Sequence, residues 1–296
     1  MTRTTPRRFL AAVALTSTFA VLAACQTPPP YGGPPTASRS FSANSVTVNS
    51  SNDKTCVIVC VGANDEPFNI HVWFRVKIGV PNSADAGVVT GDNAWPGLFD
   101  QGPGEGGSHT YTGGQRATVN FSNINMPDVL DLAQGAKLEI AGVWAWKMEA
   151  DLLGVGGLAT TAANAIKTAL NNTLATASLP SDPNFIVDVI LGAIGGVGGF
   201  FSALGGLLAS IVPFAGDDSV GSAMYVGIGA SGTLADIINS TASGASFPSL
   251  ALPLVTVPPD IGGGAIFSLG SGTKTFSNNY TNGGVDGRHT TSYSFG

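Results

Sequence analysis

Residues 68–80 read FNIHVWFRVKIGV, and the alternation within this stretch decides the class of fold. Apolar side chains occupy the even positions from Phe68 to Ile78. The odd positions hold a second set of side chains, which are Asn69, His71, Trp73, Arg75 and Lys77. A period of two is typical of a β-strand, whose successive side chains point to opposite faces of the sheet. The stretch therefore predicts a strand with one buried face and one face in water.

Segments of similar character lie on both sides of this strand. They are rich in β-branched and aromatic residues and are bounded by Gly, Asn, Asp and Pro. A glycine-rich turn, TNGGVDG at 281–287, joins the last two segments and predicts a β-hairpin. The predicted strands are at residues 45–49, 55–61, 116–121, 137–146, 222–231, 248–257, 264–270, 273–280 and 288–295. Residues 80–114 have no clear pattern and predict either a functional loop or elements that the pattern does not reveal.

A helical insertion separates the two groups of strands. Residues 157–177 predict one helix, and Asp182 followed by Pro183 is typical of the start of another. The second helix, 184–212, carries no charge from Val189 onward. Small residues line one side of it, and a bulky stripe on the other side is formed by Ile190, Ile194, Val197, Phe201, Leu204, Leu208 and Ile211.

That bulky stripe has three interpretations, which the sequence leaves open. The helix is a buried core element, a segment that inserts into a membrane, or a surface for a protein partner or for self-association. Taken with the strands, it predicts a mostly-β (α+β) fold, an antiparallel β-sandwich with an inserted apolar helical hairpin. We expect β segments at 41–150 and 217–296, with the helical insertion at 151–216.

The N-terminus indicates export. Arg3, Arg7 and Arg8 precede an uncharged stretch at 9–22, which is shorter than the ~20 residues that a membrane span needs and is typical of a signal peptide. The stretch ends in Leu22-Ala23-Ala24-Cys25, which resembles the lipobox of bacterial lipoproteins. That resemblance implies removal of residues 1–24 and acylation of Cys25, for example with palmitate. It also implies attachment to the extracytoplasmic side of the cell envelope, at the outer membrane where the cell has one.

Composition limits the partners. The chain has 13 Lys and Arg against 19 Asp and Glu, which argues against a nucleic-acid binder because few cations are available to neutralise phosphates. An acidic protein gains no attraction from an anionic membrane surface, so the lipid anchor is the expected membrane contact. Residues 25–40 are rich in Pro and Gly after Cys25 and predict a semi-extended tether.

Two further cysteines, Cys56 and Cys60, lie within TCVIVCV at 55–61. In one continuous strand they would be about 13 Å apart at ~3.3 Å per residue, and a disulfide tolerates only ~7 Å between α-carbons. Either the strand breaks between them or both are free thiols in the core. The continuous pattern favours free thiols.

Motifs of catalysis are missing from the sequence. It contains no nucleophile elbow, zinc-protease helix or phosphate-binding loop, and His71, His109 and His289 are scattered. Each histidine is expected to be a surface or hydrogen-bonded residue, and no cofactor is indicated apart from calcium. The composition and motifs favour a non-enzymatic binding or scaffold role. The alternatives are a membrane-active protein that inserts residues 184–212 and a hydrolase with an unrecognised site.

One pattern of acidic residues suggests a calcium site. KLEIAGVWAWKMEAD at 137–151 and GDDSVGSAMYVG at 216–227 resemble the calcium-dependent phospholipid-binding sandwich domains of the synaptotagmin type. The matching positions are Val143-Trp144, Asp217-Asp218 and Gly221, whereas Ala145 and Lys147 stand where that family has acids. The resemblance implies calcium ligands among Asp65, Glu66, Glu149, Asp151, Asp217 and Asp218. The alternative is that these are solvated acids in turns and at a strand end.

Overall fold

The computed structural model describes residues 32–51, 55–56, 60–61, 65–95, 102–149, 156–195, 218–243, 261–280 and 287–296. The chain divides into two compact units, residues 1–32 and 33–296. All of the described residues except Gly32 belong to the second unit.

The described residues form twelve strands and four α-helices. The strands are β1 (Thr36–Ser50), β2 (Thr55–Cys56), β3 (Cys60–Val61), β4 (Pro67–Lys77), β5 (Asp85–Thr90), β6 (Ser108–Thr110), β7 (Val119–Asn125), β8 (Glu139–Glu149), β9 (Asp218–Gly229), β10 (Ile261–Ser268), β11 (Lys274–Tyr280) and β12 (Arg288–Phe295). The helices are α1 (Val129–Ala133), α2 (Gly156–Asn172), α3 (Ile186–Gly195) and α4 (Gly232–Ala242). Short 3-10 turns lie at Gly113–Arg116, Leu174–Thr176, Pro183–Phe185 and Leu269–Ser271.

Two five-stranded sheets make up the β structure. The first has the order β10-β9-β8-β4-β5, and the second runs β11-β12-β1-β6 with β7 also paired to β1. The predicted mostly-β sandwich with helices is confirmed. One pair departs from the antiparallel pattern: β9 and β10 are parallel. Helix α4 lies between them in the chain, and a crossover of this kind is what a parallel pair requires.

The first sheet is covered on both faces, and two apolar cores result. On one face the even-numbered side chains of β4 and β8, such as Phe74 and Trp144, pack with α2, α3 and α4. On the other face the odd-numbered Val143 and Tyr225 pack against the second sheet. Strand β8 is consequently buried along its whole length. The order of layers is helices, first sheet, second sheet.

This layering corrects one expectation for β4. Its odd-numbered face was predicted to be in water, but Asn69 and His71 are completely buried there. The strand pattern is the same for a polar face in water and a polar face under a second layer. The second sheet supplies that layer, with Phe41 and Tyr293 packed against the His71 ring.

The helical insertion lies between β8 and β9, which are neighbours in the first sheet. As predicted, the second helix begins after a cap at Asp182, whose side chain accepts from the backbone N–H of Asn184, with Pro183 next in the chain. The side chains of Ile186, Val187 and Ile190 are buried in the helix-side core. Residues 196–217, which hold most of the predicted apolar helix, lie outside the described residues.

Two local predictions require correction, and one alternative that the sequence left open, at residues 80–114, is decided. Strand β1 starts at Thr36, inside the stretch expected to be tether. The 80–114 segment contains β5 and β6, which are short and have little alternation of their own. The 55–61 stretch is not one strand: β2 and β3 pair as a hairpin that places Cys56 opposite Cys60. The predicted strand at 248–257 lies outside the described residues.

Candidate functional site

Acidic residues from distant parts of the chain lie together at one edge of the first sheet, formed by the ends of strands β4, β8 and β9. Strand β4 begins there at Pro67, β8 ends at Glu149, and β9 begins at Asp218. Glu149 is the cross-strand partner of both Pro67 and Asp218. Asp65 and Glu66 come directly before Pro67. Antiparallel pairing thus brings four of the six predicted calcium residues to this edge.

These acids do not form a metal centre within the described residues. The described part of the chain contains no group of three or more His, Cys, Asp or Glu side chains that could hold a metal ion. Asp65, Glu66 and Glu149 are buried, which differs from solvated acids in turns. Asp151 and Asp217 lie outside the described residues, so calcium binding stays a prediction.

Asp65 is instead engaged with a histidine of the other sheet. Nε2 of His289, on β12, lies 2.6 Å from Oδ2 of Asp65, and both side chains are fully buried. Burial lowers the pKa of His289, Asp65 opposes that shift, and Lys147 lowers the pKa further. A neutral imidazole that donates its Nε2 hydrogen to the carboxylate fits this arrangement.

Lys147 is the least expected residue of the site, because it is completely buried in the centre of the sandwich. Its Nζ donates to the backbone oxygen of Phe68 at 3.0 Å and to Oη of Tyr111 at 2.6 Å. Burial holds the pKa of Lys147 well below its usual value, although Glu149 and Asp65 raise it. A desolvated lysine of this kind loses its proton readily and becomes a nucleophile.

Asn69 is the direct cross-strand partner of Lys147. Its side chain is completely buried, and neither amide atom has a hydrogen bond of ordinary geometry to a described residue. It faces the Tyr111 phenol. Burial raises the pKa of Tyr111 well above its usual value, and the Asn69 amide opposes that rise. A buried amide without hydrogen bonds of ordinary geometry is costly, by about 1–3 kcal/mol, and calls for an explanation.

We call these residues the inter-sheet polar cluster. Its members are Asp65, Asn69, Tyr111, Lys147, Glu149 and His289. Sequence reasoning had treated Lys147 as a departure from an acidic motif and Asn69 as part of a wet face. The sequence nevertheless contains a signal for the burial of Lys147, which is flanked by Trp146 and Met148 in a stretch that is otherwise apolar from Ile140 to Met148.

The other two histidines have separate roles. Nδ1 of His71 lies 2.6 Å from the backbone oxygen of Ala117. Burial lowers the pKa of His71 to about 3, the Ala117 carbonyl opposes that shift, and Lys147 adds to it. His109 lies near the surface, with Nε2 3.1 Å from Oε1 of Gln115. All three histidines are hydrogen-bonded, as the sequence led us to expect.

The predicted membrane or partner stripe is described only at its start. Ile190 is buried in the core, and Ile194 lies on α3. The remaining positions, Val197, Phe201, Leu204, Leu208 and Ile211, lie outside the described residues, as does Cys25. No helix within the described ranges has the length and apolarity to cross a bilayer.

A surface cavity of about 420 Å³ lies at the opposite end of the first sheet. It is formed where β4 ends and β8 is about to begin, next to the segment that follows α2. Its lining includes Gly79, Pro81, Lys137 and Leu179. The volume is within the range of small-molecule sites, and Lys137 is an exposed cation at its edge.

The fold and the cluster together define a mostly-β protein whose two-sheet sandwich is covered by helices on one side and holds a buried polar layer between its sheets. No protein family, curated protein or solved structure matches the chain.

Proposed function

We propose that the protein is an exported cell-envelope lipoprotein, attached through acylated Cys25, whose sandwich serves a binding or scaffold role without catalysis. The observation that carries the proposal is Leu22-Ala23-Ala24-Cys25 at the end of an uncharged stretch that follows three arginines. The folded part begins soon afterwards, since β1 starts at Thr36.

The short spacer determines where the sandwich would work. Residues 26–35 are rich in proline and glycine, and ten extended residues span at most about 36 Å. Such a spacer would hold the sandwich next to the membrane. The acidic composition adds no attraction to an anionic surface, so the lipid would provide the attachment.

The cavity beside Lys137 is the candidate binding site for this role. It lies away from the inter-sheet polar cluster and opens to solvent beside the end of β4. Backbone groups of residues 175–179 and the exposed ammonium of Lys137 would supply the polar contacts, and Ile78 and Leu179 the apolar ones. A small ligand with an anionic group suits this composition.

Metabolic labelling with a fatty acid tests the anchor. The full chain is expected to incorporate the label and to enter the detergent phase on Triton partitioning. Cys25→Ser should lose both properties. Cys56→Ser is the matched control and should keep both, because only Cys25 follows the Leu-Ala-Ala sequence. Label retained in Cys25→Ser would contradict the proposal.

The alternative of membrane insertion has one observation in its favour, the uncharged apolar run from Val189 to Gly216. Burial of Ile186, Val187 and Ile190 in the helix-side core favours a core role for its start. Flotation of residues 26–296 with liposomes, with and without calcium, separates the two. We expect no flotation in either condition. Flotation that disappears on deletion of 184–212 would support insertion, and calcium dependence would support the acidic site.

A further inference from the structure

Lys147 and Asn69 occupy an unusual position relative to each other. They are directly opposite each other on β8, the central strand of the first sheet, and on its neighbour β4. Both side chains point into the layer between the sheets. Directly opposite residues in an antiparallel pair have Cβ atoms about 4.5–5.5 Å apart. Nζ of Lys147 already lies 3.0 Å from the Phe68 oxygen, which belongs to the peptide group of Asn69 itself.

The surroundings of the pair exclude water and contain acids. Lys147, Asn69 and Glu149 are all buried. Glu149 lies two residues beyond Lys147 on β8, which places it on the same face of the strand. It is close enough to Lys147 to affect the charge of the amine, as is Asp65. Of the two acids, Glu149 raises the pKa of Lys147 more than Asp65 does, and it is the candidate for proton transfer.

From this geometry we propose that Lys147 and Asn69 become joined by an intramolecular amide bond, from Nζ of Lys147 to Cγ of Asn69, with release of ammonia. The structure, in which Lys147 and Asn69 are separate side chains, represents the state before the bond forms. Bond formation removes a buried NH₂ group that makes no hydrogen bond of ordinary geometry to a described residue, because the new amide keeps only the carbonyl oxygen and one N–H.

The reaction balances without an oxidant or cofactor. The neutral Lys147 amine attacks Cγ of Asn69, and the carbonyl electron pair moves onto Oδ1, which accepts a hydrogen bond from the protonated Glu149 carboxyl. Collapse of this intermediate breaks the bond from Cγ to Nδ2. The leaving nitrogen keeps its two hydrogens, receives a third that derives from Nζ by way of Glu149, and departs as ammonia. Glu149 ends in its starting state and acts as an acid and a base in turn.

The fold supplies the conditions for this chemistry. Burial favours the uncharged amine, which is the nucleophilic form. Strand pairing holds the two groups together, so that the reaction has the advantage of an intramolecular encounter. The bond would close the chain between residues 69 and 147 and so tie the central strand β8 to its neighbour β4.

Peptide mapping of the full chain tests the bond. After unfolding, reduction, alkylation and trypsin digestion, we expect no cleavage after Lys147. Peptide 55–75 should instead be found covalently attached to peptide 138–167, and the pair should be lighter than the sum of the two peptides by one ammonia. Free peptides 55–75 and 138–147 in the wild-type digest would overturn the proposal.

Substitutions of single residues test which side chains form the amide bond. Asn69→Ala and Lys147→Arg should each abolish the mass loss, and Glu149→Gln should slow or abolish it. Asn120→Ala, at an exposed position on β7, is the matched control and should retain the loss in full. A mass loss that survives Asn69→Ala would overturn the assignment. The wild-type digest decides the question even where a variant does not fold.

Discussion

His289 and Asp65 are 224 residues apart in the chain, yet Nε2 of one lies 2.6 Å from Oδ2 of the other with both side chains fully buried. The contact links β12 of the second sheet to the segment that leads into β4 of the first. His289→Ala would leave the buried Asp65 carboxylate without this donor. We expect the free energy of unfolding to fall by about 3–5 kcal/mol, measured by urea denaturation at neutral pH.

His109→Ala is the control for that substitution. This histidine lies near the surface, and its hydrogen bond within the described residues is to Gln115. Its loss should cost about 1 kcal/mol or less. Equal losses of stability in the two variants would show that the buried pair contributes nothing beyond an ordinary hydrogen bond.

The stability of the protein should fall with acid because of His71. Its pKa is about 3 in the folded chain, against 6.5 when unfolded, because burial disfavours the imidazolium. As the pH drops below 6.5, the unfolded chain takes up a proton that the folded chain does not. Stability present at neutral pH is therefore lost between pH 6.5 and about 3, at about 1.4 kcal/mol per pH unit from this residue.

Urea denaturation at several pH values between about 7 and 4 measures that slope. His71→Gln keeps a donor for the Ala117 oxygen but does not titrate in this range. The variant should show a slope flatter by about one proton, with the remaining dependence including that of His289, whose pKa is also lowered by burial. Identical slopes in the two proteins would refute the assignment to His71.

Gly142 is needed for the packing of Phe74, its cross-strand partner. A Cβ at Gly142 would lie 2.3 Å from Cζ of Phe74. We expect Gly142→Ala to destabilise the protein by about 1–3 kcal/mol, since the ring must leave its position. Gly157→Ala in α2 is the matched control: no atom lies within 4 Å of the added methyl, and the variant should gain up to about 1 kcal/mol. Thermal unfolding of both variants gives the comparison, and a neutral Gly142→Ala would contradict this packing.

Cys56 and Cys60 should form a disulfide in the oxidised protein. They are opposite each other in the β2–β3 hairpin, and directly opposite α-carbons are about 4.5–5.5 Å apart, within the range of disulfides. The proposed export would bring such a pair into an oxidising compartment. Alkylation of residues 26–296 should modify neither cysteine before reduction and both after it. Modification of both thiols without reduction would support the free cysteines that the sequence favoured.

Local sequence patterns predicted some elements of this fold correctly and others incorrectly. The even-numbered apolar positions of β4 and the Asp182 cap of the second helical segment were predicted correctly, because each depends on residues a few positions apart. The break at the β2–β3 hairpin was the less favoured of the two alternatives for residues 55–61. Its β-branched residues favour a strand at every position, and only the pairing of Cys56 with Cys60 shows that the chain turns back.

The candidate site was predicted in part. The sequence marked Asp65, Glu66, Glu149 and Asp218 as acids that converge, and strand pairing does bring them to one edge. It did not indicate the partners that alter their chemistry. Asp65 contacts His289, because the second sheet folds over this end of the first sheet.

By itself the sequence determined most of the strands, the helical insertion and the expectation of a lipid anchor at Cys25, since periodicity, capping and processing signals are local. Only the tertiary structure decided that Asn69 and His71, on the odd-numbered face of β4, are buried and that Lys147 stands opposite Asn69 in the same layer. The alternation of a strand is the same whether water or another sheet covers its polar face. Which of the two covers it depends on contacts between residues that are far apart in the chain, and that choice sets the dielectric environment in which Lys147 titrates.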